Sequence, residues 1–391
     1  VDGSSPSVRL SLPRPLTSVE ADFRIAFDSL GVVYRADQDT NDVPELYAVR
    51  IDGASPPAKR NGPLVAGGRV TTFELSRVSD RLIYLANQEQ PGFTELYSTR
   101  AIIGGVPTKL NGALVSGGDV REARLSADAS FAVYLAVQDS PNVVELFGAP
   151  SNGSAPAVKL HSSLTVPAQS VTAFALAPAG ERVLFASGGS LHSTHLGGGP
   201  ALLLDGSPVG GSVREIQGVL ADGTVLYTCD REVRERIELY RIPADGSGGP
   251  LKVNAPFHSG EIVRTASATA DASRIVYHAG PDLGPATELF VAPGAGGRVR
   301  RFAVPMGAPY GLVEAFRLSA QGSRVVYQGN DKGFPSYSDL FSVPTDGSRS
   351  PRRLNPPMSA SAFINGFAIS PDEARVVYTL WQPASGSVEL H

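Results

Sequence analysis

Asp37, Asp39 and Asn41 alternate along one short polar stretch, the spacing with which the first half of a calcium loop presents its oxygen ligands. Such a loop needs glycine at its sharp turn and a bidentate glutamate at its twelfth position, but Asp42 occupies the turn and no glutamate stands at the twelfth position. The three residues therefore read either as a partial calcium site or as a solvated hairpin tip. His192 and His195 are three apart, which on a regular strand sets them on opposite faces and argues against a zinc pair. His161 and His258 fall in loop-like sequence, His278 follows an aromatic and His391 closes the sequence, so no histidine cluster is visible. Arg231, Arg234 and Arg236 alternate with Asp230, Glu232 and Glu235, a pattern that marks a solvated tip more often than an active site. No G-x-S-x-G elbow, H-E-x-x-H pair, P-loop or dinucleotide fingerprint is present, and no cofactor is expected. The lone Cys229 excludes an internal disulfide and a multi-thiolate metal site, and reads as a small buried group.

The elements that would carry these residues are copies of one unit, GVVYRADQDTNDVPELYAVR at residues 31–50. Val32, Val33 and Tyr34 are strand formers, residues 37–44 are turn-like, and Leu46, Tyr47 and Val49 resume the strand, which makes a hairpin. The aromatic ending the first of these strands recurs as Tyr84, Tyr134, Phe185, Tyr227, Tyr277, Tyr327 and Tyr378, at intervals of 50, 50, 51, 42, 50, 50 and 51. Eight units in near-constant register override the two or three domains that 391 residues would otherwise suggest. A formal net charge of -4 with no basic tract disfavours a nucleic-acid track or an anionic membrane surface. Apolar runs such as Phe131 to Val137 fall far short of the roughly 20 residues that span a bilayer, and no charged-then-apolar leader opens the sequence. Only five basic residues are lysines, in keeping with high-GC bacterial coding.

Four strands are expected per unit; in the second they fall at Phe73–Leu75, Leu82–Ala86, Glu95–Thr99 and Thr108–Leu110. Ser126-Ala127-Asp128 and its equivalents supply polar caps for the first turn, and Asp52-Gly53, Asp245-Gly246 and Asp346-Gly347 suit positive φ in the last. Helical periodicity is absent. Such units predict an all-β fold, an eight-bladed β-propeller of four-stranded antiparallel blades filling residues 1–391 as one domain. Val1 to Leu10 matches the sequence from Ile51 through Lys59, while Val388 to His391 matches a third strand. Residues 1–18 are thus expected to complete the last blade with residues 365–391 and close the ring.

Ser370-Pro371-Asp372, Arg375 to Tyr378, the recurring Glu-Leu-Tyr and the Asp245-Gly246 turn together resemble the WD40-like (PD40) repeats of the TolB-like propeller superfamily, over essentially the whole chain. That resemblance implies the fold; its relatives include periplasmic binding platforms, gating domains of prolyl-peptidase-like enzymes and lyase scaffolds. Eight units instead of the six of TolB itself, and no room for its additional domain, prevent carrying over the role of TolB.

Glu45, Glu95, Glu145, Glu238, Glu288, Asp339 and Glu389 occupy one position, with Ser190 in the remaining unit, and a feature of nearly every unit reads as structural. First-strand residues at the facing position vary, so hairpin backbone amides are the expected partners of this acid. The fourth unit is short by about eight residues in its second hairpin, leaving a notch in which His192 replaces the recurrent aromatic. Phe257, His258, Met306, Tyr310 and Met358, on the more variable loop face, together with His192, are the candidate contacts for a protein partner. The functional expectation is a non-enzymatic binding scaffold at the bacterial envelope or cell surface, periplasmic or extracellular. The alternative is a propeller enzyme, a polysaccharide lyase or hydrolase with its site at the channel mouth.

Overall fold

A computed structural model describes residues 8–12, 18–162, 166–206, 211–257, 260–282, 287–302, 312–330, 339–358, 362–382 and 387–391. The chain divides into two compact units, Val1–Gly188 with His192–Leu202, and Gly189–Leu191 with Leu203–His391. Its strands form eight antiparallel sheets, each running in chain order from first to last strand. Seven have four strands; the last has three among the described residues, Phe363–Ile369, Val376–Gln382 and Ser387–Leu390. The only helical element among them is a 3-10 turn at Pro167–Gln169.

The second strand of each sheet is its centre, and its composition explains why. Arg81–Ala86, Phe131–Ala136 and Thr224–Cys229 are runs of β-branched, aromatic and small apolar residues buried on both faces, so no polar alternation is needed. The first strands alternate instead: Val70–Leu75 buries Val70, Phe73 and Leu75 and exposes Thr71 and Thr72. A register shift between Val70 and Thr72 bends this strand, and the same irregularity recurs in the inner strands of the third to eighth sheets. The inner strands consequently begin earlier than the expected Phe73-type start. Within each compact unit, hydrophobic clusters draw on two consecutive sheets, as where Ile83 and Leu96 meet Tyr134 and Phe147. The recurrent aromatics are therefore core, as their periodicity indicates.

Directly opposite residues of second and third strands stack their rings: Tyr84 on Tyr97 at 5.5 Å, Tyr134 on Phe147 at 5.3 Å, Tyr277 on Phe290 at 5.1 Å. Each such pair adds about 0.5–1.5 kcal/mol beyond the area it buries. The Ser/Asp turns form as expected: Ser126 Oγ donates to Asp128 at 2.6 Å, and the Ser130 N–H donates to the same carboxylate at 3.0 Å. That closed turn holds Ala129 at φ 59°, a conformation an alanine adopts only under such constraint.

Residues 8–12 pack on the first sheet. Leu10 covers the cluster of Val32, Tyr34 and Tyr47, and the Leu12 N–H donates to Gln38 Oε1 at 2.7 Å, as Gly62 and Gly112 donate to Gln88 and Gln138. Gly53, at φ 66°, leaves room for Val8, since a Cβ there would come 2.5 Å from its Cγ1. Residues 1–7 and 13–17, on which the expected completion of the last blade also depends, lie outside the described residues.

Candidate functional site

The recurrent acid has a partner that the sequence reading missed. Glu45 accepts from Lys59 Nζ at 2.7 Å and Glu145 from Lys159 Nζ at 2.7 Å, while Lys109 and Lys252 pair in the same way with Glu95 and Glu238. Arg301 on Glu288 at 3.0 Å and Arg353 on Asp339 at 3.3 Å take the same position in the sixth and seventh sheets. Four of the five lysines in the chain thus have one job. Backbone amides were the expected partners; Glu145 does accept the Asp139 N–H at 3.0 Å, but the fourth-strand cation supplies the charge. A buried carboxylate without such a counter-charge would be costly, and the two-residue outer strand exists in register to deliver it.

Two residues beyond the cation an asparagine finishes the clasp. Asn61, Asn111, Asn254 and Asn355 each accept the N–H of the leucine after the acid, at 2.7 to 2.8 Å, and donate to the next backbone carbonyl. The signal was available in the sequence as a cation 14 residues and an asparagine 16 residues after the acid.

This clasp also accounts for the candidate calcium residues. Asp39 pairs with Lys59 at 2.6 Å, as Glu89, Asp139 and Glu232 pair with Lys109, Lys159 and Lys252. Asp37 turns the other way and accepts the N–H groups of Ser18 and Asp42, a loop cap that holds its carboxyl below the usual range chiefly through the Ser18 bond. Asn41 donates to Asp42 at 2.8 Å. The three therefore do not converge on one point, and no group of three or more His, Cys, Asp or Glu side chains suited to a metal occurs among the described residues.

The charged stretch in the fifth sheet resolves into the same framework. Asp230 is buried, caps Ser212 and Glu235 and pairs with Arg214 at 2.9 Å. Arg231 forms an ion pair with the buried Asp205, which also accepts from Tyr227 Oη at 2.7 Å. Cys229 is buried, as expected.

In the fourth sheet Gly188 and Gly189, at φ 56° and 80°, join the second and third strands by a two-residue turn, so the hairpin tip is absent as the spacing indicated. His192 takes the aromatic place and stacks on Phe185 at 5.0 Å; His161, in the asparagine place, lies 6.4 Å from the same ring. Burial lowers the pKa of both imidazoles. His195, on the opposite face, contacts Arg182 at 3.2 Å.

Of the candidate partner contacts, Phe257 and Met358 are half-buried against the blade cores rather than presented as a patch. His258, Met306 and Tyr310 lie outside the described residues.

No protein-family model and no curated protein matches the sequence. Solved structures do. One, from a study of two prolyl endopeptidases and the role of inter-domain dynamics in their catalysis and specificity, is 13% identical with a TM-score of 0.54, covering 94% of this chain and 55% of the other. Another, an oligogalacturonate lyase in complex with manganese, is 14% identical with a TM-score of 0.44, covering 80% and 85%. The chain thus spans about half the length of the endopeptidase structure. Together with the eight sheets, the likeness to the endopeptidase structure defines an all-β chain of the propeller class. The endopeptidase likeness runs against one expectation, the non-enzymatic scaffold, whose stated alternative was a propeller enzyme.

Proposed function

We propose that the chain is the substrate-admitting propeller of a hydrolytic enzyme that acts on peptides. The observation that supports this is the likeness of nearly the whole chain to little more than half of a prolyl endopeptidase. The catalytic triad of such an enzyme would then be supplied by a hydrolase domain, since these 391 residues hold no nucleophile elbow. The polypeptide partner expected from the sequence becomes the peptide substrate in this reading. Export by a bacterium and TolB-like ancestry belong to the same proposal, supported by the Ser370-Pro371-Asp372 turn and the Glu-Leu-Tyr repeats.

A fluorophosphonate probe, which labels activated serine nucleophiles, tests the division of labour. Native material captured from source cells with an antibody to this chain is expected to carry the label, in the same polypeptide or in a tightly held partner. Captured material that takes up no label, with a known serine hydrolase labelled in the same extract, contradicts the reading.

A further inference from the structure

In the second, fourth and seventh sheets the arginine that opens the second strand is tied down within its own blade. Arg81 Nη1 donates to Ser98 Oγ at 3.3 Å, Arg182 Nη1 to Ser193 Oγ at 3.0 Å and Arg324 Nε to Ser342 Oγ at 2.8 Å. The sixth sheet keeps the arginine, Arg274, but not its tether. The strand register pairs Val276 with Val291, just as it pairs Ile83 with Ser98 and Val326 with Ser342, so Val291 stands where the serine would be. A valine offers no acceptor, and Arg274 reaches instead to the seventh sheet, where Nη1 donates to the Thr345 carbonyl at 3.4 Å. Arg300 Nη1 donates to the next carbonyl along, Asp346 O, also at 3.4 Å. Two guanidinium groups are thereby held on consecutive carbonyls of one turn.

A cavity of about 480 Å³ lies here, lined by Arg274, Arg298 and Arg300, with Asp346 its one acid and Val291, Ala292 and Pro293 on its apolar side. Arg298 is exposed and makes no hydrogen bond or ion pair among the described residues. Three arginines against one aspartate is a local excess of positive charge in a chain whose net charge is -4. Arg274 and Arg300 retain donors beyond the one long bond each makes, and a planar fork of donors suits an oxyanion.

We propose that this cleft between the sixth and seventh sheets is a binding site for a small molecule bearing phosphate or carboxylate groups. The anionic group lies among Arg274, Arg298 and Arg300, and the body of the molecule lies along Pro293. The site is independent of the peptidase reading, since it sits on the face of the Asp-Gly turns and needs no catalytic domain.

Titration calorimetry with inorganic pyrophosphate and, separately, with succinate tests the site and tells the two oxyanion sources apart. Saturable binding of at least one of them is expected, weakened by added salt. The double variant Arg298→Ala, Arg300→Ala should lower affinity about tenfold or more, the loss expected from removing charge-assisted hydrogen bonds. Val291→Ser is the more telling variant. It installs the residue that three other sheets already carry, so it should fold, and by returning Arg274 to its own blade it should weaken binding several-fold. The idea fails if neither anion binds at millimolar concentration at low salt, or if binding is the same in the wild type, the double variant and Val291→Ser.

Discussion

Replacing Lys159 with methionine is expected to lower the stability of the chain by about 3 kcal/mol. Glu145 is fully buried, and Lys159 is the cation that lies 2.7 Å from it. The same ammonium reaches Asp139 at 2.7 Å and lies 5.7 Å from the centre of the Phe147 ring, so one substitution removes two ion pairs and a cation–π contact. Removing one member of a buried pair costs about 3–5 kcal/mol because the remaining charge has no counter-ion; Lys159 is a quarter exposed, which places the loss at the lower end. Converting Glu145 to glutamine in the Lys159→Met background should restore most of the loss, since the stranded charge is gone. Urea midpoints of the wild type, both single variants and the double variant measure this. A Lys159→Met loss below about 1 kcal/mol, the ordinary value of a surface pair, would show the clasp to be decorative.

His278 should make stability fall as pH is lowered from about 6.5 to about 4. Its imidazole is buried, and burial, with Arg264 adding to the effect, pushes its pKa down from 6.5 to about 4. Between those two values the unfolded chain takes up a proton that the folded chain refuses, so stability rises with pH across the window. Below about 4 both states are protonated and the contribution no longer changes. The full effect is about 3 kcal/mol at most, from a depression of roughly two and a half pH units. Gln328 occupies the same position in the seventh sheet and donates to the Ile364 carbonyl at 2.9 Å, which makes glutamine the natural replacement. In His278→Gln the stability difference between pH 7 and pH 4.5 should shrink by most of that amount; an unchanged difference would assign the pH dependence to other groups.

What could be read from the residues alone follows from how local each feature is. The ring stacks were legible because Tyr34 and Tyr47, or Tyr84 and Tyr97, sit in adjacent strands joined by one hairpin, so periodicity along the sequence is periodicity in space. The missing tip of the fourth sheet was legible for the same reason, as a shortened interval. The recurrent acid was visible, but hairpin backbone amides were its expected partners, whereas the cation comes from the fourth strand. Lys59 and its equivalents lie beyond a turn of variable composition, on a strand only two residues long, whose register no propensity fixes. The polar stretch at Asp37 resembled a calcium loop because alternating carboxylates serve a loop cap and an ion pair as readily as a cation. The arginine cleft was beyond reach, because it depends on one absent serine in one blade and on a turn some 70 residues away in the sequence.

The most direct test of the central claim is hydrolysis of an N-blocked prolyl p-nitroanilide peptide by native protein captured from source cells through an antibody to this chain. The account predicts release of p-nitroaniline by the captured material and a matching loss of that activity from the depleted extract. Capture of the chain in good yield with no release, and with the activity left whole in the depleted extract, would contradict it.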